Sequence, residues 1–114
     1  MPYKVQARDL LTLHEKREIM AICQGFKKRA AEIERGERRP EVLDRNLRLN
    51  TAITEALDTV CAGESERVKL LFLEALAERR GHGWSPLCML MSPNAFYERK
   101  CRIMVLIAQK LDMI

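Results

Sequence analysis

"SPLCMLMSPNAFYERKCRIMVLIAQKL", residues 85–111, contains two Ser-Pro pairs seven positions apart. Each pair reads as a helix start: a serine N-cap whose hydroxyl accepts a backbone N–H, then a proline at the first helical position, where no N–H is needed. The second start follows the first so closely that the first helix must be very short, ending by Leu90. A turn at Leu90-Met91 then leads into a longer helix reaching about Met113. Short helix, tight turn and longer helix form the layout of a helix-turn-helix.

Advancing about 100° per residue along the longer helix, Phe96, Ile103, Ile107 and Leu111 share one side, with Met104 nearby. Asn94, Glu98 and Arg102 fall opposite, and Tyr97, Arg99 and Lys100 flank the boundary. Such a helix is held by its rear and offers its first two turns outward, which suits entry into a major groove N-terminus first. Asn94 can pair bidentately with an adenine edge, and Arg102 can reach guanine or a phosphate. Arg99 and Lys100 can neutralise phosphates, and the helix N-terminus with the Ser92 hydroxyl can hold one. Glu98 repels the backbone unless it reads a cytosine amino group or pairs with Arg102 at i+4. Cys101, Val105 and Ala108 make the rear of the helix apolar all round. That rear therefore needs cover, either from another element of the chain such as the first helix or from a second copy.

Upstream, nothing but Gly25 interrupts a helix from about Asp9 to Arg35, and Ile19, Cys23, Phe26, Ala30 and Ile33 form one apolar seam. Gly36 suits its C-cap, and Pro40 starts the next helix, which runs to about Ala62 with Leu49, Ile53, Leu57 and Val60 on one stripe. Asn46 and Asn50, close to that stripe, read as exposed or locally bonded, with interface polar groups as the alternative. "ESERVKLLFLEALAERRG", residues 64–81, is a third helix with acids in its first turn, arginines in its last and Gly81 as terminator. Val68, Leu71, Phe72, Ala75 and Leu76 are its expected buried face. Trp84, between a glycine loop and a proline, reads as a plug holding that loop on the core. No segment alternates long enough to be a strand.

The chain has 114 residues, 47% hydrophobic and 32% charged, which allows one helical domain with one core. The net charge of +4 is unevenly spread. Residues 1–40 carry ten Lys/Arg against six acids, residues 41–63 two against four, and residues 82–114 four against two. A basic bias of this size permits nucleic-acid binding without requiring it. The tract "FKKRAAEIERGERR", residues 26–39, reads as a solvated helix end, with a backbone anchor on DNA as the alternative. No apolar run is long enough for a membrane span, and "MPYKVQARDL" lacks the apolar stretch of a secretory signal, so a cytoplasmic location is expected. Cys23, Cys61, Cys88 and Cys101 are widely spaced and read as buried free thiols. His82, Cys88 and Cys101 match no zinc-finger spacing, and neither His14 nor His82 has a nucleophile or carboxylate at a catalytic spacing. Neither a metal, a cofactor nor an enzyme activity is expected.

"MSPNAFYERKCRIMVLIAQKL", residues 91–111, resembles the C-terminal signature of phage late-gene transcription regulators of the ArpU and RinA type. Ser92, Phe96, Tyr97, Arg99, Lys100, Ile107, Ala108 and Leu111 match that pattern in order. The region is similar in turn to the fourth conserved region of bacterial sigma factors, and with "AITEALDTVCAGESERVKLLFLEAL" the resemblance spans roughly residues 47–114. It implies a cytoplasmic phage or prophage regulator of late genes. By the same resemblance Phe96 is the core position of a recognition helix, Asn94, Tyr97 and Glu98 face base edges, and Arg99, Lys100 and Arg102 meet phosphates or edge the reading face. "SPLCML" departs from the family in being short and lacking a small central residue, and Leu90-Met91 stands where a glycine is frequent.

The sequence thus predicts an all-α bundle of four or five helices in one domain. A long N-terminal helix (9–36) and two supporting helices (40–81) carry a C-terminal helix-turn-helix (85–114). The expected function is sequence-specific binding of double-stranded DNA, with RNA polymerase and a second copy of the chain as further candidate partners. The rival reading is a helical oligomeric interaction protein, such as a phage packaging or assembly subunit.

Overall fold

The computed structural model describes residues 10–114, and among them every regular element is helical. The expected start of the first helix at Asp9 lies outside the described residues. Among the described residues the first helix begins at Leu13, where Thr12 and Glu15 close a reciprocal capping box: Thr12 Oγ1 accepts the Glu15 N–H at 3.1 Å, and Glu15 Oε1 accepts the Thr12 N–H at 2.8 Å.

The single long N-terminal helix is corrected to two, α1 (Leu13–Gln24) and α2 (Phe26–Glu34), joined at Gly25. The Gly25 N–H is shared between Ala21 O at 3.3 Å and Ile22 O at 3.2 Å. The physical cause is Arg29, whose side chain folds back over Gly25 so that its guanidinium donates to Ile22 O and, through Nε, to Asn50 Oδ1 at 2.7 Å. A Cβ on Gly25 would run into that guanidinium. Burial pushes the Arg29 guanidinium below its usual range, opposed by the Cys23 thiol beside it.

Pro40 occupies the first turn of α3 (Pro40–Val60), which runs antiparallel to α2. The pair is closed by polar groups. Asn50 Nδ2 donates to Phe26 O at 3.1 Å, and Asn46 Nδ2 donates to Glu32 Oε2 at 2.8 Å. Both asparagines are buried, correcting the expectation that they would be exposed or locally bonded. Neither α2 nor residues 40–45 of α3 contribute a fully buried side chain, so the hairpin stands out from the core as an arm. The molecule is accordingly elongated, 51 × 34 × 25 Å, with a radius of gyration of 14.7 Å against about 13 Å for a compact domain of this length.

The core lies where α1, α4 (Glu66–Ala77) and α5 (Pro93–Lys110) meet the second half of α3. Ile19, Ile53, Phe72, Leu76, Leu87, Phe96, Ile103 and Ile107 are all fully buried there. α5 packs on α3 and α1, and on its apolar rear Val105 and Ala108 are buried within the chain while Cys101 stays partly exposed. Gly36, the expected C-cap, takes the left-handed conformation just past α2, and Gly63 takes it in the turn after α3. Gly81 does not end α4. Arg79 takes the left-handed position instead, at φ 54°, a conformation that costs a non-glycine residue about 1 kcal/mol or more.

Between α4 and α5 the chain forms two short 3-10 turns, His82–Trp84 and Pro86–Met89. The expected first helix of the helix-turn-helix is therefore a single 3-10 turn, capped by Ser85 Oγ on the Leu87 N–H at 3.2 Å. The second Ser-Pro pair explains this. Pro93 forces Ser92 into an extended conformation (φ −69°, ψ 160°), which leaves no room for another α-turn after Leu90.

Of the four free cysteines, Cys23 and Cys61 are buried as expected, whereas Cys88 and Cys101 are partly exposed. Burial pushes the Cys23 thiol up to about 12. The native thiol therefore keeps its proton in the range where the unfolded thiol, with an ordinary value of 9.0, loses it. Its contribution to stability is complete below that ordinary value and is lost as pH rises toward 12. Stability is expected to fall by about 1.4 kcal/mol per pH unit within that window from this group. Urea melts from pH 8 upward should show a steeper alkaline loss for the parent than for Cys23→Ala; identical slopes would contradict the assignment.

Candidate nucleic-acid interface

α5 is positioned by what surrounds Phe96, the residue that decides which way its front end faces. The Phe96 ring stacks on Phe72 with centroids 5.8 Å apart and meets the His82 and Tyr97 rings edge-on at 5.6 and 5.0 Å. The linker before α5 is tied to the same place: His82 Nε2 donates to Met91 O at 2.7 Å, and the Tyr97 hydroxyl accepts the His82 N–H at 3.2 Å. A Cβ on Gly81 would lie 3.0 Å from the Tyr97 hydroxyl oxygen, so the glycine permits this close approach. No sequence pattern marked His82 as this staple, because its partners are a backbone carbonyl and an aromatic edge brought together only by folding.

The residues predicted for the site divide into two groups. Asn94, Glu98 and Arg102 are exposed on the front turns of α5, and Tyr97 keeps 48% of its surface free although its hydroxyl is engaged. Glu98 and Arg102 do not pair with each other, and neither joins an ion pair among the described residues. Ser92 is the N-cap: its hydroxyl oxygen accepts the Ala95 N–H at 3.2 Å. The Phe96 N–H bonds to Ser92 O at 3.0 Å and Pro93 has none, so only the Asn94 N–H of the first turn is left to a ligand.

Arg99 and Lys100 are engaged inside the fold. Arg99 forms an ion pair with Glu64 in the turn between α3 and α4, linking that turn to α5. The second carboxylate oxygen of Glu64 is enclosed and has no hydrogen-bond partner. The Lys100 ammonium donates to Arg80 O at 3.1 Å and lies 5.7 Å from the Phe96 ring centroid. Burial there pushes Lys100 below the usual lysine range. The sequence placed both residues at the boundary of the reading face; periodicity gives an angle around the helix axis but not the reach of a neighbouring turn.

Residues 79–102 carry five Lys/Arg and a single acid, Glu98. Arg80 is drawn to Glu74 at 3.1 Å, which leaves Arg79 and Arg102 as exposed cations outside ion pairs among the described residues. Between them, residues 83–97 carry no charged side chain at all. Trp84, expected as a core plug, is 82% exposed, and Met89 and Leu90 are 85% and 59% exposed. Leu87 takes the place expected of the tryptophan: it is fully buried and anchors the linker.

Among the described residues no three His, Cys, Asp or Glu side chains gather into a metal-binding group. No helix among them is long and apolar enough to cross a membrane. No family model, curated protein or solved structure matches the chain.

Proposed function

We propose that the chain is a sequence-specific DNA-binding transcription regulator of phage or prophage origin, controlling late genes and reading duplex DNA with the first turns of α5. One observation carries the reading: a single helix has its rear fully buried at Phe96, Ile103 and Ile107 while Asn94, Tyr97, Glu98 and Arg102 stand outward from its front. In this role Asn94 reads an adenine edge, Arg102 a guanine or a phosphate, and Tyr97 and Glu98 the flanking edges. Ser92 and the Asn94 N–H approach the backbone. Arg99 and Lys100 position the helix rather than neutralise phosphates. The regulator acts in the cytoplasm without cofactor or catalysis, with RNA polymerase and a second copy of the chain as further partners. A helical oligomeric interaction protein is the second reading, favoured by the exposed apolar side chains of Trp84, Met89 and Leu90.

Anisotropy of a labelled duplex, titrated at two salt concentrations, separates the two readings, because phosphate contacts make affinity fall steeply with salt. Arg102→Ala is expected to weaken binding to all duplexes and flatten the salt dependence. Asn94→Ala is expected to cost about 1–3 kcal/mol on a preferred site and little elsewhere. A parent chain that binds no duplex at low salt would overturn the proposal.

A further inference from the structure

The arm formed by α2 and the first half of α3 carries most of the protein's excess charge. Residues 26–50 contain eight Lys/Arg against five acids, so +3 of the net +4 lies there. Folding then sorts these groups. Lys27, Lys28, Ala31, Glu34 and Arg35 fall on the side of α2 away from half-buried Phe26, Ala30 and Ile33, and all five are exposed. On an isolated helix Glu32 would neutralise Lys28 at i+4. Here it accepts Asn46 Nδ2 from α3 at 2.8 Å instead. Just past α2, Glu37 is taken up by Arg39, whose Nε donates to Oε1 at 2.8 Å and whose Nη2 donates to Oε2 at 3.0 Å. Lys27, Lys28, Arg35 and Arg38 are left exposed and outside ion pairs among the described residues, with Glu34 the one acid on that side of α2. Arg35 and Arg38 line one shallow concavity at the tip of the arm, together with Gly36 and the two engaged acids.

A row of cations that folding leaves unneutralised, on a hairpin braced by Asn46 and Asn50, calls for a polyanion. The row holds no aromatic side chain on which an unstacked base could lie and no large apolar one to enter a bilayer. It offers point charges, the chemistry that meets the phosphates of a duplex. Lys28 and Arg35 stand two turns apart and span about 10 Å, roughly three phosphates of one strand. Resting on the DNA-binding reading above, we infer that the outer face of α2, with Lys27, Lys28, Arg35 and Arg38, is a second, phosphate-contacting surface for duplex DNA. The front of α5 is held by Arg99 and Glu64 near the far end of α3, a helix of 21 residues and about 30 Å. The arm therefore contributes affinity without sequence preference, and α5 contributes the preference.

The test is anisotropy of a labelled random-sequence duplex, titrated with the full chain over a series of salt concentrations. Lys28→Gln/Arg35→Gln is expected to reduce the slope of log affinity against log salt by about 2, with the thermal melt of the parent. Arg67→Gln/Arg79→Gln removes the same charge from exposed positions off the arm and is expected to keep the parent's slope. A parent that binds with the same slope as the arm variant would overturn this inference and leave the DNA-binding reading standing. An equal drop in both variants would overturn it too, as an effect of net charge alone. No complex between the parent and duplex at low salt would end both readings. Pelleting with phosphatidylserine vesicles that the arm variant loses, while its duplex slope stays the parent's, would reassign the arm to a membrane surface.

Discussion

Phe96→Ala is expected to lower the free energy of unfolding by about 3–5 kcal/mol, a large part of what holds a domain of this size together. The ring is fully buried, stacks on Phe72, and receives the edges of His82 and Tyr97 and the ammonium of Lys100. Its loss leaves a cavity at the junction of α4, α5 and the linker, and it removes the surface against which the linker is stapled. Two measurements check this. Urea unfolding gives the loss in stability, and Trp84 emission in the folded variant reports whether the linker has loosened. Phe96→Leu should recover more than half of the loss, since it refills most of the volume. A near-neutral Phe96→Ala would mean that α5 is not anchored along this side, and the outward orientation of Asn94 and Arg102 would lose its basis.

Asn50→Leu is expected to cost about 2–3 kcal/mol, although leucine shares asparagine's branching and number of side-chain heavy atoms and is better suited to burial by hydropathy. The change strips Phe26 O of its donor and Arg29 Nε of its acceptor in one step. The Arg29 guanidinium, already held below its usual range by burial, would be left with Ile22 O alone. The cost should be partly reversed in the double variant Arg29→Met/Asn50→Leu, because removing both partners leaves fewer orphaned groups than removing one. Urea melts of the parent, the two single variants and the double variant give the coupling directly. Strict additivity would show that Arg29 and Asn50 do not act together, and that the break at Gly25 has another cause.

Part of the candidate site was legible because helical periodicity and Ser-Pro starts are local signals. The angle of Asn94, Glu98 and Arg102 away from Phe96 follows from about 100° per residue, and all three are exposed in the fold. Arg99 and Lys100 show where that logic stops. Their angles place them at a boundary, and their engagement depends on Glu64 and on Arg80 O, which lie 35 and 20 residues away. Trp84 was misplaced for a similar reason: a lone large apolar residue is usually buried, but here Leu87 fills the site, and a competition for one cavity cannot be read from composition.

The sequence by itself determined the helical class, most of the helix starts and ends among the described residues to within a few residues, and the side on which α5 is held. These rest on caps, prolines, left-handed glycines and the 3.6-residue repeat, all of which act over one or two turns. Only the tertiary structure decided that the N-terminal helix breaks at Gly25 and that Asn46 and Asn50 are buried. Both are set by polar groups that find partners on another helix. Each is a contest between groups, and its outcome depends on which of them the folded chain brings within reach.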